Sequence, residues 1–219
     1  MAAGGRSQEA LAELCQTYWH PIYAYVRRRV PDVNEAQDLT QEFFYRLLKK
    51  EAIAKAQPNR GRFRAFLLTA LKNFLANEWN KATAEKRGGG RVKLPLDFAS
   101  ADSLIQFEPF HELTPEKVYE RRWVLTLVNE VLDRLRTEFA QAGKQHQFEQ
   151  LKGALTGELT ADDYARAGET LGITPAAAKQ AAYRMRKRYR EMFRQEVQRT
   201  TADEEDVEDE MRRLLHNLA

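Results

Sequence analysis

Apolar residues recur at three- and four-residue intervals along most of this chain, and alternating runs of β-branched residues bounded by turns are missing, so the pattern predicts an all-α protein. A first helix is expected over 8–30, with Leu11, Leu14, Tyr18, Ile22 and Tyr25 on one stripe, and Pro21 should kink it or split it in two. Pro31 and Asp32 end it. Asn34 offers an N-cap for the second helix, with Gln37 at the capping-box position, and Leu39, Phe43 and Leu47 mark its buried side as far as about Lys50. Pro58, Asn59 and Gly61 read as a loop. A third helix follows from Arg62 to about Ala84, burying Phe63, Leu67, Ala70 and Phe74.

Beyond Lys86 the run Gly88-Gly89-Gly90 propagates a helix poorly, and the stretch to His111 holds no clean period. Thr114 then caps, with Pro115 in the first turn, a long helix to about Ala142 whose buried positions are Val118, Trp123, Leu127, Val131 and Leu135. Later helices are expected at about 146–155, 161–171 and 175–197. The architecture this gives is two small helical domains, 8–85 and 114–200, joined by a flexible basic linker over 86–113. An acidic tail over 201–219 follows, with Met211, Leu214, Leu215 and Leu218 on one face of a short amphipathic helix.

A formal charge of +3 over 219 residues suggests no particular partner, but the charge is segregated. Nine Lys/Arg against two acids lie between Arg60 and Lys93, and seven against one between Pro175 and Arg194; the 203–210 segment holds seven acids and no base. The single cysteine, Cys15, excludes an internal disulfide and a multi-cysteine metal site. With neither an apolar leader core nor a membrane-length apolar run, the expected compartment is the cytoplasm.

The most specific local pattern runs from Asp162 to Pro175. Gly172 can take positive φ to end one helix, Ile173 is expected to fill the corner, Thr174 caps the next helix and Pro175 fits its first turn. In that second helix Ala178, Ala182, Met185 and Tyr189 should face the core. Thr174, Ala176, Lys179, Gln180, Tyr183, Arg184 and Lys187 are then left to read and grip duplex DNA as a recognition helix does, with Tyr183 equally readable as a core-edge residue. Without the corner, an ordinary solvated basic face would be the better reading.

Two further faces carry chemistry. Asp38, Gln41, Glu42 and Tyr45 lie on one stripe of the second helix beside Phe44, which is expected to be exposed, a surface suited to a protein partner. Thr69, Asn73 and Asn77 form a polar row on the third helix, with Lys72 alongside and Trp79 just beyond, a combination that suits unpaired bases and their backbone.

The segment Asp38-Leu39-Thr40-Gln41-Glu42-Phe43-Phe44-Tyr45 resembles the core-binding helix of bacterial RNA polymerase sigma factors. The stretch from Arg62 to Asn77 is similar to the next helix of that domain, and the corner followed by Arg184-Met185-Arg186-Lys187-Arg188 to the family's minus-thirty-five domain. The order and spacing are closest to the small two-domain factors of the extracytoplasmic-function type. Three features depart from the pattern: Asn77 where Asp is usual, Ala167-Gly168 where larger apolar residues are common, and the acidic tail.

The resemblance implies core RNA polymerase and promoter DNA as partners, with room for an inhibitory anti-sigma protein. It implies that the minus-ten element is read by Asn59, Arg60, Arg62, Arg64, Lys72, Asn73, Asn77 and Trp79, the arginines holding phosphates beside a pocket for a flipped base, with a merely solvated basic loop as the other reading of Arg60, Arg62 and Arg64. A stand-alone helix-turn-helix regulator is the alternative.

No enzyme is expected. His20, His111, His146 and His216 lack ligand spacing, no phosphate-binding glycine loop follows a strand, and neither metal nor cofactor is called for. For the tail, the sharper expectation is that its acids compete with DNA for the basic helix; the blander is a solvated spacer.

Overall fold

The computed structural model describes residues 17–49, 63–82, 96–98, 101, 113–199 and 207–216. Among them there is no strand, and the all-α expectation holds. The chain divides into two compact units, 1–126 together with 200–219, and 127–199.

Unit 1 contains α1 (17–29), α2 (Val33–Lys49), α3 (Phe63–Ala82), the first turns of α4 (Pro115–Gln141) and α9 (Val207–His216). The described part of α1 passes through Pro21 without a break. It is buried on more than one stripe, since Ile22, Tyr23, Tyr25 and Val26 are all fully enclosed. The cap of α2 is Asp32, not Asn34: its Oδ1 accepts from Glu35 N at 2.7 Å, which sets the helix start one residue before the expected cap. Leu39, Phe43 and Leu47 are buried as expected, and so are Leu67 and Phe74 on α3. The Phe63 side chain lies outside the described residues.

Thr114 caps α4 through its hydroxyl, which accepts from Lys117 N. The division between units falls inside this helix instead of before it, because Val118, Tyr119, Trp123 and Val124 pack in unit 1. The expected linker is also partly structured: Phe98 and Ala101 are buried, Phe98 standing edge-on to Trp19 and Tyr23 with centroids 5.6 and 4.9 Å away. Its basic run over 86–93 lies outside the described residues, as does Cys15. The tail is not merely a spacer, for α9 buries Val207, Met211 and Leu214 at i, i+4 and i+7.

Unit 2 continues α4 through Leu127, Val131 and Leu135, all buried, and adds α5 (Gln145–Leu151), α6 (Gly153–Thr156), α7 (Ala161–Leu171) and α8 (Pro175–Gln198). The helix expected over 146–155 is thus two short ones. A full capping box opens α7: Thr160 accepts from Asp163 N, and the Asp163 carboxylate accepts from Thr160 N at 2.9 Å. Gly172 closes the helix at φ 66°, Ile173 N donates to Gly168 O at 2.9 Å, and Thr174 caps α8 by accepting from Ala177 N. Ile173 does not fill the corner; it is 38% exposed. The inside is taken by Tyr164, Ala167 and Gly168, and a Cβ on Gly168 would stand 2.7 Å from the Ile173 carbonyl oxygen. The departure Ala167-Gly168 is therefore what lets the turn backbone close onto α7.

Replacing Gly168 with Ala is expected to destabilise unit 2 by about 2 kcal/mol in urea unfolding, because backbone must move to admit the methyl. Gly157→Ala, where nothing lies within 4 Å, should be close to neutral. The Asp163 carboxyl, held at about 2 by the Thr160 hydroxyl, the Thr160 amide and Arg166, ties α7 to pH. A depressed folded value means a contribution present above the unfolded value of 3.8 and lost as pH falls through about 2. The thermal unfolding midpoint should fall as pH drops from about 3.8 to about 2 in the parent protein, and fall less over the same window in Asp163→Asn.

Candidate nucleic-acid and protein interfaces

On α2 the outward stripe is formed as expected by Asp38, which is exposed, and by half-buried Gln41, Glu42 and Tyr45. Phe44 is a correction: it is 0% exposed and stands 5.7 Å from the Phe43 ring. Adjacent aromatics subtend about 100° on a helix, so both fit one wide apolar stripe when the helix is covered on two sides. Glu42 is engaged by Arg46 at 2.6 Å, and Arg46 reaches Glu78 of α3 at 2.8 Å while lying over the Phe74 ring. That bridge fixes α2 against α3. Beside it opens a cavity of about 220 Å³, with Phe43 and Phe74 as apolar walls and Arg46, Asn73 and Asn77 as polar groups.

The polar row of α3 is exposed at Thr69, Asn73 and Asn77, and Trp79 is 38% exposed with the Arg29 guanidinium 5.9 Å from its ring. Lys72 is exposed but paired, its Nζ 2.8 Å from Glu116 of α4. The Lys72 hydrogen bond holds the Glu116 carboxyl below the usual carboxylate range. Tyr25 donates to the same carboxylate, and burial pushes its phenol up to about 12.

Arg64 is not a surface phosphate ligand in this structure. Its side chain is 3% exposed, stacked 4.7 Å from the Trp123 ring, 3.0 Å from Glu120 Oε2 and ion-paired with Glu210 of α9. Its carbonyl accepts from Tyr119 OH at 3.1 Å. A first-turn arginine flanked by Phe63 and Ala65 carries no local sign of burial; the acids that compensate it are distant in sequence. Asn59, Arg60 and Arg62 lie outside the described residues.

In unit 2 the expected stripe of α8 is on the surface at every position: Thr174, Ala176, Lys179, Gln180, Tyr183, Arg184 and Lys187 are exposed. Tyr183, at 60% exposure, stands clear of the core. The opposite face buries Ala178, Ala182 and Met185 as expected and Ala181 besides, whereas Tyr189 is half-buried and donates to Val128 O. The cations of this helix divide by role. Arg188 grips Glu138 with two nitrogens, holding that carboxyl low, and Arg186 donates to Tyr164 OH at 2.9 Å. Lys179, Arg184 and Lys187 have no ion pair among the described residues. Small Ala176 and Ala177 open the helix, and Ala176, Lys179, Arg186 and Tyr164 border a concavity of about 450 Å³.

No cluster of His, Cys, Asp and Glu fit to hold a metal occurs among the described residues, and none of the described helices is long and apolar enough to cross a membrane. No curated protein and no solved structure gives a match to the chain. Residues 14–85, which span the α2 stripe, the α3 row and the cavity between them, match the family model described as Sigma-70 region 2.

Proposed function

We propose that the protein is a dissociable promoter-specificity subunit of bacterial RNA polymerase, of the extracytoplasmic-function type, working in the cytoplasm. The observation that carries this reading is the region 2 match over 14–85. In this reading α2 docks on core polymerase through Asp38, Gln41, Glu42 and Tyr45, and α3 takes the melted minus-ten strand through Asn73, Asn77 and Trp79. Amides beside an apolar-walled cavity suit an unstacked base, and Trp79 offers a stacking plane. The exposed stripe of α8 grips the upstream duplex: Gln180 and Arg184 meet base edges as in a recognition helix, and Lys179 and Lys187, without an ion pair among the described residues, neutralise phosphates. The polymerase supplies the catalysis. An inhibitory anti-sigma protein would act by covering the same faces.

The decisive experiment combines the purified protein with core polymerase. Expected are a stable complex on gel filtration and promoter-dependent transcripts that core alone does not make. Duplex binding without either result would leave a stand-alone regulator. Within the complex, Lys179→Ala and Lys187→Ala should each weaken upstream-duplex binding and reduce the slope of log affinity against log salt by about 1, leaving core affinity unchanged.

A further inference from the structure

The fold gives Arg64 and the C-terminal helix a task that neither the region 2 match nor the charge pattern assigns. Arg64 sits in the first turn of α3, the helix that carries the exposed amide row. Three groups of unit 1 converge on it: Glu120 and the Trp123 ring from α4, and Glu210 from α9. Tyr119 of α4 holds the backbone at the same point. Glu210 is 0% exposed, and Val207, Met211 and Leu214 seat its helix on both sides of it. Glu120 is 27% exposed at its side chain and so is a weaker counter-charge than an enclosed carboxylate. Without Glu210 the guanidinium would be under-compensated in a dry site, and its cheapest response is to turn toward water, off Trp123. The first turn of α3 would move with it.

We infer that Glu210 is a positioning residue: through Arg64 it sets the placement of α3, so that the C-terminal helix is a working part of the face that reads unpaired bases, and not an inhibitor of DNA binding. This rests on the proposed function, because the α3 row has a strand to read only if the protein is a promoter-specificity subunit. The tail acids expected to contend with DNA for α8 include Glu210, and that carboxylate is spent inside unit 1.

The test uses holoenzyme reconstituted from core polymerase and the full chain, with two DNA probes: a single-stranded oligonucleotide carrying the minus-ten sequence, and a duplex of the upstream element. Glu210→Gln and a chain ending at Thr200 should each lose about tenfold in affinity for the single-stranded probe. Duplex affinity and core affinity should stay within about twofold, and a synthetic peptide of residues 200–219 should restore the shortened chain. The split matters because α2 and α3 share unit 1, so general unfolding would take core binding away as well. Unchanged or tighter single-strand binding overturns the inference, the tighter result in favour of an inhibitory tail; so does a parallel loss of core affinity, which would make the pair a requirement of folding alone. If the unsubstituted holoenzyme fails to bind the single-stranded probe, the proposed function falls before any variant is compared.

Discussion

A guanidinium that is 3% exposed is costly to enclose unless carboxylates reach it, and in unit 1 two of them do, Glu120 and Glu210, with the Trp123 ring beneath. Removing one partner from such a site costs about 3–5 kcal/mol, because the desolvation already incurred by the other is left uncompensated. That penalty is directional in its effect on structure. It ties the start of α3 to α4 and α9, while Arg46 ties the other side of α3 to α2 through Glu42 and Glu78. The helix that carries the exposed amides is therefore held from three neighbours.

Unit 2 reaches a comparable definition without a buried charge. Its corner depends on backbone geometry: one glycine with left-handed φ, and another without a side chain where a carbonyl approaches. Two ion pairs join α8 to α4 within the unit, Arg188 of α8 with Glu138 and Glu196 of α8 with Arg134. Lys179, Arg184 and Lys187, which have no ion pair among the described residues, lie on the exposed stripe, where their charge is available to a polyanion.

The elements themselves were legible because their spacing is local information. Leu39, Phe43 and Leu47, or Val118, Trp123 and Leu135, announce a helix and its buried side within a few turns, and Gly172-Ile173-Thr174-Pro175 announces a corner within four residues. The exposed stripe of α8 followed from the same arithmetic. What escaped was decided by partners far along the chain. Phe44 falls beside the polar stripe by local spacing, and it is enclosed because α2 buries a wider arc than Leu39, Phe43 and Leu47 define. Phe98 looked like linker because no periodicity surrounds it, yet one ring is enough to anchor a segment between Trp19 and Tyr23. Arg64 looked like a phosphate ligand beside its basic neighbours, and no pattern near residue 64 points to a carboxylate at 210. The signal available was weaker: an acid at Glu210 falling on the same face as Val207, Met211 and Leu214, where a solvated helix would not put it.

The topology of unit 1 has a consequence for the order in which the protein is made. Its two parts are separated in the chain by the whole of unit 2, residues 127–199, so the ribosome delivers the sequence of unit 2 before the helix that completes unit 1. Chains fold vectorially as they emerge. The carboxylate of Glu210 is therefore made only after the whole of unit 2, and Arg64 waits through the synthesis of the α7–α8 corner for the partner that encloses it.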